Sequence, residues 1–85
     1  MTEKDIRVES IALIINVFGA FDENIKILEK ELSVSVVSRE DQLKITGEEA
    51  QVDMAERALR TLFQLSLRGE QIGTQTVTYV LSLVR

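Results

Sequence analysis

A chain of 85 residues holds one domain around a single modest core, and 45% hydrophobic with 28% charged residues is the balance of an ordinary globular protein. With neither Cys nor His, thiol chemistry, the common zinc ligand sets and histidine acid–base catalysis are excluded. The formal charge of −4 argues against broad electrostatic attraction to nucleic acid or anionic lipid.

Ile6 and Val8 alternate with Asp5, Arg7 and Glu9, which predicts a short edge strand. Ser10 then stands as the cap of a short helix through Ile11, Leu13, Ile14, Ile15, Val17 and Phe18, apolar nearly all round and so expected to be buried, with Gly19 closing it. The run Ile11 to Ile15 is too short to cross a bilayer, and the opening MTEKDIRVES is too acidic for a secretory signal. A cytoplasmic chain without a membrane partner is expected.

From Asp22, apolar Ile25, Leu28 and Leu32 with Glu23, Lys26, Glu29 and Lys30 on other faces predict a three-turn amphipathic helix that ends at Ser33. Val34 and Val36, then Leu43 and Ile45, alternate with polar neighbours around a turn at Arg39–Gln42, the pattern of a hairpin with one buried face. Past Thr46-Gly47, Glu48 and Glu49 sit in the first turn of a long helix whose stripe is Val52, Ala55, Leu59, Leu62 and Phe63. Asp53/Arg57 and Glu56/Arg60 have the spacing of intrahelical ion pairs, and Met54, Ala58 and Leu65 form a second stripe that can meet the last helix or a partner. The glycines of Arg68–Gly73 break that helix, and Thr74 is the expected cap of a final one bearing Val77, Val80, Leu81 and Val84. Its abrupt end at Arg85 suggests a piece of a longer protein.

The fold class is therefore α+β, a three-stranded sheet with helices on one face, in the order β-α-α-β-β-α plus a C-terminal helix. In this order Val17-Phe18-Gly19, Ile25, the hairpin, Ile45-Thr46-Gly47, Val52 and Ala55 resemble a KH domain over about residues 6–66. Gly19-Ala20-Phe21-Asp22 stands where that module has its backbone-clamping GXXG loop, with an acid in place of the second glycine. Small residues let a phosphate reach the N–H groups of the following helix. Asp22 is expected to cap those groups itself, and with Glu23 to repel a phosphate. Phe21 has two readings, stacking on a base or packing into the core, and the core is the more ordinary fate of a lone Phe. Lys26, Lys30, Arg39 and Lys44 would line a basic edge, or are solvated residues balanced by neighbouring acids. Residues 1–40, which include the loop, hold five bases and eight acids, hence −3; residues 41–85 hold five and six, hence −1.

For catalysis, the acid pairs Asp22-Glu23, Glu40-Asp41 and Glu48-Glu49 are each adjacent in sequence, so they do not face one another as an acid–base pair. Neither a G-x-x-x-x-G-K-[ST] phosphate loop nor a dinucleotide fingerprint is present. No active site, cofactor site or metal site is read here.

The wording of Asn16-Val17-Phe18-Gly19-Ala20-Phe21-Asp22-Glu23-Asn24-Ile25, with Leu43-Lys44-Ile45-Thr46-Gly47-Glu48, Gln51-Val52 and Ala55-Glu56, is similar to the amino-terminal region of PhoH-like proteins. Ala20 stands where that family commonly has Pro, and Ser33 where it often has Gly. The resemblance implies a KH-like region, residues 1–67, and a linker and helix, residues 68–85, leading to a P-loop ATPase domain outside this chain. ATP and Mg²⁺ would bind there. It further implies RNA metabolism, the ATPase domain and RNA or single-stranded nucleic acid as partners, and oligomers formed through the whole protein. Gly19, Ala20 and Phe21, with Lys26 and Lys44 beside them, are the candidate nucleic-acid contacts. The alternative is a protein-interaction or assembly module that has lost nucleic-acid binding.

Overall fold

The computed structural model describes residues 1–8 and 10–85 and sets three strands and four helices in the expected order. The strands are β1 (Thr2–Arg7), β2 (Ser35–Arg39) and β3 (Gln42–Gly47), arranged β1-β3-β2 with both pairings antiparallel. Ile6 lies opposite Leu43, and Val36 opposite Ile45, so the period-two pattern turns all four to one buried side. Asp5, Lys44 and Val37 form a row across the opposite, solvent-facing side. Glu40 and Asp41 make the hairpin turn, with Glu40 at φ 51°.

β1 starts four residues earlier than Ile6, and Val8 lies beyond its end. The six-residue partner strand sets this length, pairing Gly47 with Thr2 and Gln42 with Arg7. Lys4 falls on the helix-facing side and hid the strand from an apolar pattern. It is accommodated there because its ammonium donates to Asp53 at 2.5 Å and Glu56 at 3.1 Å on the long helix. Val8 leaves the ladder, stays buried and donates its N–H to the carbonyl of Asp41 at 2.7 Å.

The helices are α1 (Ile11–Phe18), α2 (Glu23–Leu32), α3 (Glu49–Leu67) and α4 (Thr74–Val84). The stripe Val52, Ala55, Leu59, Leu62 and Phe63 on α3 is buried, and α3 packs on β1 and β3. Leu28 and Leu32 of α2 join the same core, as do Val77, Val80 and Leu81 of α4. α4 lies against both α2 and α3, and Ala58 of the second stripe is buried with Met54 and Leu65 packed beside it. That stripe is thus met from within the chain.

Three local expectations are corrected. α1 is not buried all round: Ile14 and Val17 face the core, whereas Ile11 and Ile15 are 74% and 66% exposed, because α1 borders the helical layer. Gly73, not Thr74, precedes the first turn of α4, and its N–H donates to Thr76 Oγ1 at 3.4 Å. Asp53 pairs with Lys4 rather than Arg57, while Glu56 does pair with Arg60 at 3.1 Å. Among the described residues no helix is long and apolar enough to cross a membrane.

Candidate functional site

The turn between α1 and α2 begins at Gly19, whose φ of 80° suits glycine and whose N–H closes α1 on the carbonyl of Ile15 at 3.0 Å. Ala20, Phe21 and Asp22 then make one tight turn, with the Asp22 N–H donating back to the Gly19 carbonyl at 3.1 Å. Phe21 and Asp22 are both left-handed, at φ 54° and 59°. A left-handed conformation costs an L residue roughly 1–2 kcal/mol, less for Asp than for an aromatic. Position 22 therefore has the backbone of a glycine although it carries a carboxylate.

Two expectations for this turn fail. Asp22 precedes α2 but makes no side-chain bond to it, because its left-handed backbone departs from the extended geometry in which a cap reaches forward. Phe21 does not enter the core: it is 94% exposed at the tip of the turn. The α2 start is left without a side-chain cap, next to two exposed carboxylates, Asp22 and Glu23.

Among the proposed contacts, Gly19, Ala20 and Phe21 are contiguous in the turn, and Lys26 is exposed one turn along α2. Lys44 is elsewhere. It projects from the sheet face turned away from the helices, 3.7 Å from Glu3. Beside the turn, a groove of about 570 Å³ is lined by Ala12, Ile15, Asn16, Gly19, Ala20, Glu23 and the α3–α4 segment Gln71–Gly73. A second depression, about 320 Å³, lies between the end of β1, α1 and α3. Its arginines are engaged, Arg7 with Asp41 at 3.4 Å and Arg60 with Glu56. Among the described residues no three carboxylates converge as a metal cage would require.

Sequence reasoning missed Asn16 and Asn24. Asn16 donates to Ser66 Oγ at 2.7 Å and to the Glu70 carbonyl at 2.9 Å, and accepts the Ile72 N–H at 3.1 Å. Asn24, only 2% exposed, donates to the Ile72 carbonyl at 2.9 Å. Its Oδ1 has no partner. One signal was available: Asn16 is the single polar residue in the apolar run of α1, and a polar group there needs a partner. On the sheet edge, Glu29 Oε2 accepts the Val36 N–H at 2.8 Å, so the chain itself satisfies that edge donor.

The contact between β1 and α3 shifts the protonation of Lys4 and Glu56. The hydrogen bond that Lys4 donates to Asp53, then the one it donates to Glu56, raises Lys4 above 10.5, and the bond from Lys4 holds Glu56 below 4.5. Both belong to the strand–helix contact and not to the turn.

No protein-family model matches the chain. Among curated proteins it is 25% identical over 71 residues to a PhoH-like protein of Bacillus subtilis, covering 84% of this chain and 22% of that one. It is 28% identical over 72 residues to a PhoH-like protein of Mycobacterium tuberculosis, covering 85% and 20%. With the PhoH-like protein of Mycobacterium leprae the identity is 29% over 72 residues, covering 85% and 21%. The chain spans about a fifth of the length of the curated relatives it matches. The resemblance read from the Asn16–Ile25 block is thus a match over most of this chain to one part of PhoH-like proteins.

Proposed function

We propose that this chain is a non-catalytic, KH-like accessory domain of a cytoplasmic, ATP-binding PhoH-like protein, and that its Gly19–Asp22 turn meets single-stranded RNA. The observation that carries the reading is Phe21, a bare aromatic ring at the tip of a strained turn. Such a ring makes no contribution to the core, and strain of this kind persists where a site uses it. Stacking of one base on an aromatic side chain contributes on the order of 1–3 kcal/mol. Lys26 would add one phosphate contact, while Asp22 and Glu23 hold the affinity down. Residues 1–67 form the KH-like region in this reading, and residues 68–85 lead towards the ATPase domain, where ATP and Mg²⁺ bind.

A second reading, a module that docks on protein and not on nucleic acid, draws on Ile11 and Ile15, which leave an apolar strip on α1 beside the acidic turn. One titration separates them: fluorescent single-stranded RNA of mixed sequence at low salt, against wild type, Phe21→Ala and Asp22→Gly. The RNA reading expects salt-sensitive binding by wild type, weaker binding by Phe21→Ala and tighter binding by Asp22→Gly. If neither wild type nor Asp22→Gly binds, the docking reading replaces it.

A further inference from the structure

The α1–α2 turn and the α3–α4 connection, about fifty residues apart in the chain, are held by the same two side chains. Asn16 reaches the connection from the last full turn of α1, and Asn24 from the first turn of α2. Between them they take both backbone groups of Ile72, the N–H on Asn16 Oδ1 and the carbonyl on Asn24 Nδ2. The Ile72 side chain is buried alongside.

Gly19 completes the arrangement. A Cβ at this position would lie 2.6 Å from Asn24 Nδ2 and 2.8 Å from its Cγ, so the Asn24 amide occupies the space that the missing side chain leaves. The shape of the turn and the placement of the Asn24 amide are therefore one packing problem. What Asn24 holds is the start of α4: Ile72 precedes Gly73, the residue before its first turn. At its other end α4 is tied again, where Arg85 donates to the Glu31 carbonyl at 3.0 Å and to Glu31 Oε1 at 2.9 Å. α4 thus runs alongside α2, fastened near both ends.

We infer that Asn16 and Asn24 form a clasp that couples the Gly19–Asp22 turn to the docking of α4. A shift of the turn moves the Asn24 amide, which releases Ile72 and loosens the start of α4; release of α4 frees Asn24 and relaxes the turn. This coupling goes beyond the RNA reading and is independent of what the turn touches. In the PhoH-like block that runs from Asn16 to Asn24, the two terminal asparagines and Gly19 are positioning residues for the connection.

The test is hydrogen–deuterium exchange read by segment on the whole chain, wild type against Gly19→Ala. The expected result is that exchange in residues 70–77 speeds up together with the turn and outpaces the β3 amides, which follow only the global loss of stability, by at least about tenfold, as for a local opening that forfeits a buried hydrogen bond. Acceleration confined to residues 19–24, or residues 70–77 exchanging no faster than the β3 amides in the variant, would overturn the coupling. Should Gly19→Ala fail to fold, wild type supplies the second measurement. The Asn24 side-chain amide protons should exchange slowly by NMR and show close contacts to Ile72, and rapid exchange there would equally overturn the clasp.

Discussion

Of the polar ties that join segments about fifty residues apart in this small domain, those made by Lys4 and Asn24 differ most plainly in burial. Lys4 reaches from β1 to Asp53 and Glu56 on α3 through side chains that water still reaches. Asn24 reaches from α2 to Ile72 inside the core. The ion pair has full charges and short distances, yet solvent competes for both partners, so exposed pairs of this kind contribute little. The amide bond is neutral, but removing it strands a buried carbonyl that has no water to turn to. In this molecule the uncharged tie is the more consequential one.

The largest way to test that contrast is Gly19→Ala. It forces a methyl against the Asn24 amide at a φ of 80° that alanine tolerates poorly, and should destabilise the domain by about 3 kcal/mol in urea unfolding. A loss below about 1 kcal/mol would mean that the turn yields freely. Asn24→Ala comes next, at about 2 kcal/mol, because the stranded Ile72 carbonyl outweighs relief of the unpaired Oδ1. Asn16→Ala should cost about 1 kcal/mol, since Asn16 is itself only half-buried and water can take over its bonds to the Glu70 carbonyl and the Ile72 N–H.

Lys4→Met should have the smallest effect, and it alone should depend strongly on salt and pH. The Asn24→Ala loss should be the same at low salt and at about 1 M NaCl, where exposed charges are screened. Glu56 has a lowered folded pKa, so its contribution is complete above 4.5 and is lost as pH falls through the lower folded value. Lys4 has a raised one, so its contribution is complete below 10.5 and is lost only as pH climbs past the folded value. Unfolding curves of wild type and Lys4→Met should therefore converge at both pH extremes and differ most between them. An unchanged gap in strong acid would place the stabilisation in the packing of the Lys4 stem.

The regular elements were legible because they obey a period. Val36, Leu43 and Ile45 alternate, Val52, Ala55, Leu59 and Leu62 recur at helical spacing, and every one of them is buried. Ser33 shows how far the pattern reaches: it ends α2 as expected, at φ 55°, a left-handed conformation that glycine adopts most readily. β1 was only half legible, since Lys4 on its inner side breaks the alternation and is admitted by two carboxylates on α3. α1 read as buried all round because composition counts apolar residues and is blind to how many faces have neighbours.

The candidate site was legible as a place and not as a geometry. The Gly19–Asp22 turn was found from its glycine and its position between two helices, but Asp22 was expected to cap and Phe21 to pack, and they do neither. Both expectations assumed ordinary backbone angles, and a residue's capping preference carries no information on a left-handed φ imposed by the turn.

By itself, then, the amino-acid sequence determined the element order, the sheet-facing stripes and the likeness to PhoH-like proteins, all of which depend on spacing along the chain. Tertiary structure alone decided which side of α1 stays wet, that Lys4 meets Asp53 and Glu56, and that Asn16 and Asn24 meet Ile72. Those outcomes depend on contacts across about fifty residues, and a hydrogen bond is set by where two groups come to rest once the core has closed.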